Sequence, residues 1–270
     1  MHEKDELEFS PSERHVEELI EGIRSRTPAR LLRGRAGTAY RTDTLMELRD
    51  AHAAARDAVR TEIDISKDLG LAFVEKWNLF EVCTRAETKE EYLIRPDLGR
   101  HFNDRAHKEI LSRCTPEKDV QLTIGDGLSV AAVRKQAPEL FALLCEGAKT
   151  RGWSVGQSFV VRHCRVGVLN EIGELLGPRV AILLIGERPG LATAESLSAY
   201  MAYRPGKDHT DANRNLISNI HNRGVGIVRA AERILSLSAQ MLSRQTSGFT
   251  LRETWSGGDS ISNIRVSFSN

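Results

Sequence analysis

Two glycine-containing loops, each carrying one carboxylate, directly follow apolar, strand-like runs of sequence. The first, GDG at 125–127, follows DVQLTI, and the second, GERPG at 186–190, follows RVAILLI. In open α/β sheets, ligands bind beyond the carboxyl ends of the strands, where such loops gather. Glycine lets the backbone approach a ligand closely, and a carboxylate accepts hydrogen bonds from its hydroxyl or amide groups. Asp126 and Glu187 are therefore candidate ligand-binding residues.

Both loops also have a purely structural interpretation. Neither matches GxGxxG, so the pyrophosphate grip of a dinucleotide-binding enzyme is not predicted. Asp126 could equally cap the helix that follows its strand. For GERPG, a ligand-binding role is favoured, because a rigid loop with two charges is more than a turn requires.

Other polar residues are weaker candidates. The segment 209–221 (HTDANRNLISNIH) predicts a polar loop, and its His221 is more often a satisfied structural histidine than a base. Arg162 and Arg165 could clamp a phosphate, although an ion-paired or solvated arginine is the commoner case. The sequence contains no HExxH, GxSxG or P-loop motif, so we predict no catalytic residues and no self-contained hydrolase or kinase.

Composition narrows the possible partners and the compartment. The 38 Lys and Arg residues nearly balance 37 Asp and Glu, and this net charge of +1 does not favour nucleic acid or an anionic membrane. No apolar run approaches the ~20 residues that span a bilayer, and the acidic start of the chain does not resemble a signal peptide. The four cysteines form no CxxC pair and suit reduced, buried thiols rather than a metal site. The expected location is the cytoplasm.

Hydrophobic periodicity predicts strands that alternate with helices. The first expected helix begins with a capping box at Ser10–Glu13, and a later helical segment is expected to break at Pro138. A hairpin is expected from strands near 79–83 and 92–94. The other predicted strands are 119–124, 158–162, 179–185 and 197–203, and the other predicted helices are 42–61, 168–176 and 227–242.

This alternation predicts an α/β fold, specifically a Rossmann-like, mostly parallel sheet with flanking helices. A smaller, mainly helical N-terminal domain is expected to precede it. The predicted division is 1–115 for the N-terminal domain, 116–252 for the α/β domain, and 253–270 for a Ser/Gly-rich tail.

Five short motifs, taken in order, resemble the small subunit of ethanolamine ammonia-lyase. The resemblance extends from about Arg33 to Gly248 and is specific because the five occur in the same order and at similar spacing. The motifs are RPDLGR at 95–100, DGLS at 126–129, IGERPGL at 185–191, ESLS at 195–198 and ISNIH at 217–221.

The resemblance implies a function that this chain performs with a partner. Enzymes of this family convert ethanolamine to acetaldehyde and ammonia with adenosylcobalamin, whose 5′-deoxyadenosyl radical abstracts a substrate hydrogen. It implies that a large subunit carries the substrate site in a TIM barrel, and that the small subunit closes over the cobalamin from its nucleotide side within a heterooligomer. The N-terminal domain is expected to contact that partner. Such enzymes can also reside in a bacterial microcompartment.

Carried over by position, the family's cobalamin contacts fall on Val166, Glu187 and Leu216. Val166 would pack or use its backbone, and Glu187 would accept hydrogen bonds from corrin amides or the nucleotide loop. Some relatives have cysteine at 216, so Leu216 can keep only a backbone or van der Waals contact. Asp126 is added from the strand-end argument alone.

Two other functions stay open from the residues themselves. One is a free-standing nucleotide-binding α/β enzyme, whose acid and base would be found among Asp126, Glu187 and His221. The other is a structural or regulatory binding module without a cofactor.

Overall fold

The N-terminal region is built from helices and one small hairpin. The computed structural model describes residues 11–27 and 29–253. The helices here are α1 (Pro11–Ser25), α2 (Thr42–Arg60), α3 (Ile65–Asp68) and α4 (Leu71–Lys76), and β1 (Arg35–Ala36) pairs with β2 (Ala39–Tyr40). Ser10, the expected cap of the first helix, lies outside the described residues.

The remaining strands form one mixed, six-stranded sheet. They are β3 (Phe80–Cys83), β4 (Val120–Gly125), β5 (Phe159–Arg162), β6 (Val180–Gly186), β7 (Leu197–Tyr203) and β8 (Asn215–Ile220). Their order is β3-β5-β4-β6-β7-β8. The first four in this order are parallel, whereas β7 and β8 are antiparallel to their neighbours. The sheet is therefore parallel on one side and antiparallel on the other.

Helices cover both faces of the parallel part of the sheet. They are α5 (Lys89–Ile94), α6 (Asp104–Arg113), α7 (Val130–Thr150), α8 (Val168–Leu176) and α9 (Ile227–Arg244), and short 3-10 turns lie at Leu98–Arg100, Asp211–Asn213 and Gly248–Thr250. On β6, Val180, Ile182 and Leu184 pack with α7 and α9, and the alternate residues pack with α6 and α8. Because successive strand residues point to opposite faces, a strand buried on both faces reads as one continuous apolar run.

The predicted α/β fold is confirmed, with a mixed rather than purely parallel sheet. The Rossmann-like classification and the domain boundaries stay predictions. Phe80–Cys83, from the predicted N-terminal domain, forms an edge strand of the sheet. Most of the predicted tail, 254–270, lies outside the described residues. No helix within the described part of the chain is both long and apolar enough to cross a membrane.

The expected hairpin near 79–94 is wrong. Phe80–Cys83 pairs in parallel with β5, and Tyr92 to Ile94 belong to α5. Thr88 begins α5, and its side chain accepts a hydrogen bond from the Glu91 N–H. Local capping chemistry therefore outweighs the strand-like character of these residues.

Two further expectations are wrong. The helix α7 continues through Pro138, because burial of Leu140, Phe141 and Leu144 offsets the roughly 3 kcal/mol that an interior proline costs. The predicted polar loop 209–221 contains β8, which forms because its backbone pairs with β7.

Candidate functional site

Two adjoining cavities lie where the loops after β5 and β6 meet the antiparallel strands. The smaller, of about 180 Å³, is lined by Val166 and Glu187, and the larger, of about 820 Å³, is lined by Val166 and Leu216. Tyr200 lines both cavities. Three of the four candidate residues are thus brought together, although they lie on three separate segments of the sequence.

The larger cavity exists because one face of the antiparallel strands has no helical cover within the described residues. On β7, Leu197, Ala199 and Met201 face the core beneath α9, so Tyr200 points to the opposite face. Leu216, its partner on β8, is 44% exposed there. The side of α8 and the segment 204–214 complete the walls.

Glu187 connects its loop to the two antiparallel strands. Its carboxylate oxygens accept hydrogen bonds from the Ser196 hydroxyl at 2.6 Å, the Ser198 hydroxyl at 2.5 Å and the Asn219 N–H at 2.8 Å. A carboxylate has about four lone-pair sites, so roughly one is left for a ligand. The three protein donors fix the direction in which that site points.

Asp126 occupies a different position from the other three candidates. It is 0% exposed and lines neither cavity. Its carboxylate accepts hydrogen bonds from the backbone N–H groups of His163 at 3.0 Å and Cys164 at 2.8 Å, and Lys89 Nζ lies 3.4 Å away. The helix-cap interpretation is wrong, because Ser129 caps α7. Asp126 instead holds the loop that follows β5.

The rest of that loop is held by aromatic and imidazole contacts. The His163 ring contacts the Ala86 carbonyl at 2.8 Å and the Glu62 carboxylate at 3.1 Å, and it stacks on Tyr92. The Tyr92 hydroxyl donates to the Cys164 carbonyl at 2.8 Å. His163 has a φ of +56°, a left-handed conformation that these contacts must stabilise.

Two glycines allow the RPDLGR segment to pack against the same loop. A Cβ on Gly99 would lie 2.7 Å from Arg165 Cγ and 2.8 Å from the His163 carbonyl oxygen. A Cβ on Gly167 would lie 2.8 Å from Arg100 Cγ. The Arg165 N–H donates to the Gly99 carbonyl at 2.8 Å. The motif therefore supports the wall of both cavities.

The larger cavity is lined by three carboxylates and by four basic side chains. The basic side chains are Arg100, Arg165, Lys207 and Arg214. Burial lowers the pKa of Arg214, and nearby Arg100 lowers it further, while Asp211 opposes this shift. Arg165 lies over the Tyr92 ring, with its guanidinium carbon 4.2 Å from the ring centroid. Arg162, the other arginine considered as a phosphate clamp, is ion-paired with Glu81 at 3.1 Å and lines neither cavity.

The groups needed by a free-standing acid–base enzyme are engaged elsewhere. His221 is buried, one ring nitrogen contacts the Asn219 side-chain oxygen at 2.7 Å, and the other accepts the Arg223 N–H at 3.2 Å. Burial raises the pKa of all four thiols, that of Cys114 to about 11 and that of Cys145 to about 12. No cluster of metal-ligating side chains is present among the described residues.

Sequence reasoning missed Tyr200, Lys89 and Arg214. Tyr200 could have been found from strand alternation, since it interrupts the small and apolar residues of 197–203. Lys89 and Arg214 carry no local signal, because their roles depend on residues brought close only by folding.

Comparison with known proteins agrees with the resemblance seen in the motifs. The family model for the ethanolamine ammonia-lyase light chain matches residues 17–252. The ethanolamine ammonia-lyase small subunit of Clostridium acetobutylicum is 40% identical over 87% of this chain and 95% of the relative. Those of Clostridioides difficile and Listeria monocytogenes are 42% and 40% identical, each over 85% of this chain and 76% of the relative.

Proposed function

The chain belongs to the ethanolamine ammonia-lyase light chain family, and from this premise we propose that it binds adenosylcobalamin at an interface with a large catalytic subunit. The complex would convert ethanolamine to acetaldehyde and ammonia in ethanolamine catabolism. The observation that carries the proposal is the convergence of Val166, Glu187 and Leu216 on two adjoining cavities. A cytoplasmic complex, free or inside a bacterial microcompartment, is part of this proposal.

The residues that line the two cavities have chemical groups that suit a corrinoid. Its rim carries amide side chains, which need hydrogen-bond acceptors and donors as well as apolar contacts. The smaller cavity offers the remaining lone pair of Glu187, and Tyr200 supplies a hydroxyl whose pKa is raised chiefly by burial, so it stays protonated at neutral pH. Val166 and Leu216 supply apolar surface. Adenosylcobalamin is too large for these cavities alone, which supports a second chain as the other wall.

Each residue of this chain would bind or orient rather than react. Val166 would pack against the ligand, Glu187 would accept a hydrogen bond, and Leu216 would make a van der Waals contact. When bound, the cofactor supplies the radical chemistry, and the protein supplies binding and orientation. Asp126 would act indirectly, by fixing the loop that carries Val166.

An exposed apolar stripe supports a partner at the N-terminal end. On α1, Val16 is 52% exposed, Leu19 54% and Ile23 45%. Apolar residues at helical spacing normally face a core. We therefore assign this stripe to the proposed contact between the N-terminal region and the large subunit.

The test is whether activity depends on the partner. The purified chain, given ethanolamine and adenosylcobalamin, should release no ammonia, and adding the large subunit should restore release. The matched control is the large subunit alone with the same cofactor. Turnover by this chain alone would contradict the proposal and favour a free-standing enzyme. Failure of the two-chain complex to retain a corrinoid would favour a cofactor-free binding module.

A further inference from the structure

A further cavity lies at the other end of the sheet from the candidate site. It has a volume of about 360 Å³ and opens where the end of α4, the end of α7 and the segment 153–158 meet. Trp77 lies just before β3, and Val155 forms a bridge with Val120, the first residue of β4. This amino-end cavity is therefore separated from the proposed cofactor site by the length of the strands.

Three aromatic rings line the amino-end cavity. Trp77 and Phe141 pack edge to face, with their ring centroids 5.2 Å apart, and Trp153 adds the third ring. Cys145 contributes a thiol that burial keeps protonated, since its pKa is raised to about 12. Such walls suit a flat, apolar ring better than a flexible polar chain.

The segment 153–158 is held in place by the protein itself. Gln121 Nε2 donates to the Gln157 carbonyl at 2.9 Å, and Gln157 Nε2 donates to the Asn78 carbonyl at 2.9 Å. A Cβ on Gly156 would overlap the Gln121 side-chain oxygen, so glycine allows this close approach. A ligand would therefore not need to order this wall on binding.

The charged groups at the opening are cations. Lys149 lines the cavity, and no carboxylate of the described residues does. Lys76 and Arg151 each lie over one of the two indole rings, at 5.2 Å and 5.8 Å from the ring centroid. Glu146, which raises the pKa of the neighbouring thiol, is exposed and outside the lining. A positive rim around apolar walls attracts a ligand that has an apolar body and a negative charge.

Trp77 also has a hydrogen-bond donor that the protein does not use. Its Nε1–H is buried and finds no acceptor among the residues that the structure describes. A buried indole N–H usually has a hydrogen-bond partner. An oxygen atom of a ligand in the cavity would supply the missing acceptor.

From these features we propose that the amino-end cavity binds a small aromatic carboxylate. Its ring would pack against Trp77, Phe141 and Trp153, and its single negative charge would face the one lysine of the lining, Lys149. The volume of about 360 Å³ is within the range of roughly 300–1,000 Å³ that is usual for ligand pockets. This ligand is separate from the cofactor, and the proposal does not rest on the proposed function.

Isothermal titration of the full-length chain with cinnamate tests the proposal. Cinnamyl alcohol keeps the ring without the charge, and cyclohexanecarboxylate keeps the charge without the aromatic ring. The variants are Lys149→Gln and Trp153→Leu. The matched control is Lys135→Gln, because Lys135 is an exposed lysine on the same helix that does not line the cavity. The cinnamate titration is repeated on the two-chain complex.

Cinnamate should bind the wild-type chain and the complex, and more tightly than either analogue. Lys149→Gln should raise the Kd for cinnamate about fivefold and leave the Kd for cinnamyl alcohol unchanged. Trp153→Leu should weaken the binding of both, and Lys135→Gln should change neither. The indole N–H signal of Trp77 in a nitrogen–proton correlation spectrum, identified by its loss in Trp77→Phe, should shift when cinnamate binds.

The proposal is overturned if cinnamate does not bind the wild-type chain, or if cinnamate and cinnamyl alcohol bind equally well. Binding that leaves the Trp77 signal unmoved, or that Lys135→Gln weakens as much as Lys149→Gln does, would place the ligand elsewhere and also overturn it. Loss of binding in the two-chain complex would show that the partner covers the cavity, and would exclude a ligand site in the assembled protein. The exposed Lys149 keeps the test valid if Trp153→Leu fails to fold.

Discussion

Two aspartates flank the same strand, β4, and they have different roles at its two ends. Asp119, at the amino end, accepts the Ser154 N–H and hydroxyl and binds Arg179 at 2.9 Å, all near the surface. Asp126, at the carboxyl end, is fully buried and binds two backbone N–H groups and Lys89.

The difference shows which end of the sheet positions the loops that line the two cavities of the candidate site. At the amino end, the partners of Asp119 only join adjacent segments. At the carboxyl end, the buried carboxylate fixes a loop whose outer residues, Arg165 and Val166, line two cavities. Buried ion pairs rarely add stability over apolar packing. The buried pair of Asp126 with Lys89 therefore favours a role in positioning the loop beside those cavities.

The largest expected effect comes from removing Asp126. Asp126→Ala would leave Lys89 buried without its counter-ion and two N–H groups unpaired, at a cost of about 3–5 kcal/mol in the free energy of unfolding. Asp119→Ala should cost no more than about 1 kcal/mol, because its ion pair is near the surface. Denaturant unfolding measures both, and equal losses would remove the distinction between the two ends.

The next largest effect on stability is expected from the packing of RPDLGR against the loop that follows β5. Gly99→Ala would place a Cβ against the His163 carbonyl and Arg165, and should destabilise the fold by about 1–3 kcal/mol. Gly190→Ala is the control, since a Cβ there meets nothing within 4 Å, and its effect should stay within about 0.5 kcal/mol. Thermal unfolding compares the two, and an unaffected Gly99→Ala would show that this contact is not tight.

Glu187→Ala should weaken cofactor binding in the two-chain complex by about 1–3 kcal/mol, because it removes a charged acceptor. It also frees Ser196, Ser198 and the Asn219 N–H, so the loop should lose some order. Glu195→Ala, an exposed carboxylate in the next segment, is the control. An unchanged dissociation constant, measured by absorbance titration, would contradict a role for Glu187 in the site.

The smallest effect is a pH dependence at the amino end. The Ser154 N–H, and then its hydroxyl and Arg179, lower the pKa of Asp119. Its contribution to stability is therefore complete above about pH 4, the unfolded value, and is lost as pH falls through the lower folded-state pKa. Asp119→Asn should reduce the fall in the unfolding free energy as the pH drops below about 4, by less than about 1 kcal/mol. An unaltered profile would show that Asp119 contributes nothing there.

The parallel strands and their loops could be predicted from sequence because burial on both faces produces unbroken apolar runs. DVQLTI and RVAILLI are such runs, and each placed its carboxylate at the carboxyl end of a strand. Val166, Glu187 and Leu216 could be predicted to share a site only from the family resemblance, because no local sequence pattern relates these three positions.

The rest depended on contacts between distant segments. The ion pair of Lys89 with Asp126 joins residues that are 37 positions apart, and the helix through Pro138 is held by tertiary packing. The backbone of β8 finds its partner in β7 although its residues are mostly polar. Propensity and periodicity describe one segment at a time, so they could not predict these features.

Leu216→Glu tests most directly whether the carboxyl-end cavities hold the cofactor, as proposed. Leu216 is 44% exposed, so the fold should tolerate the change, while a charge in the apolar contact should raise the Kd for adenosylcobalamin at least about tenfold in the two-chain complex. Leu111→Glu, at a 58% exposed leucine on α6 that lines neither cavity, should leave the Kd unchanged. An equal Kd for Leu216→Glu and the wild type would contradict the claim.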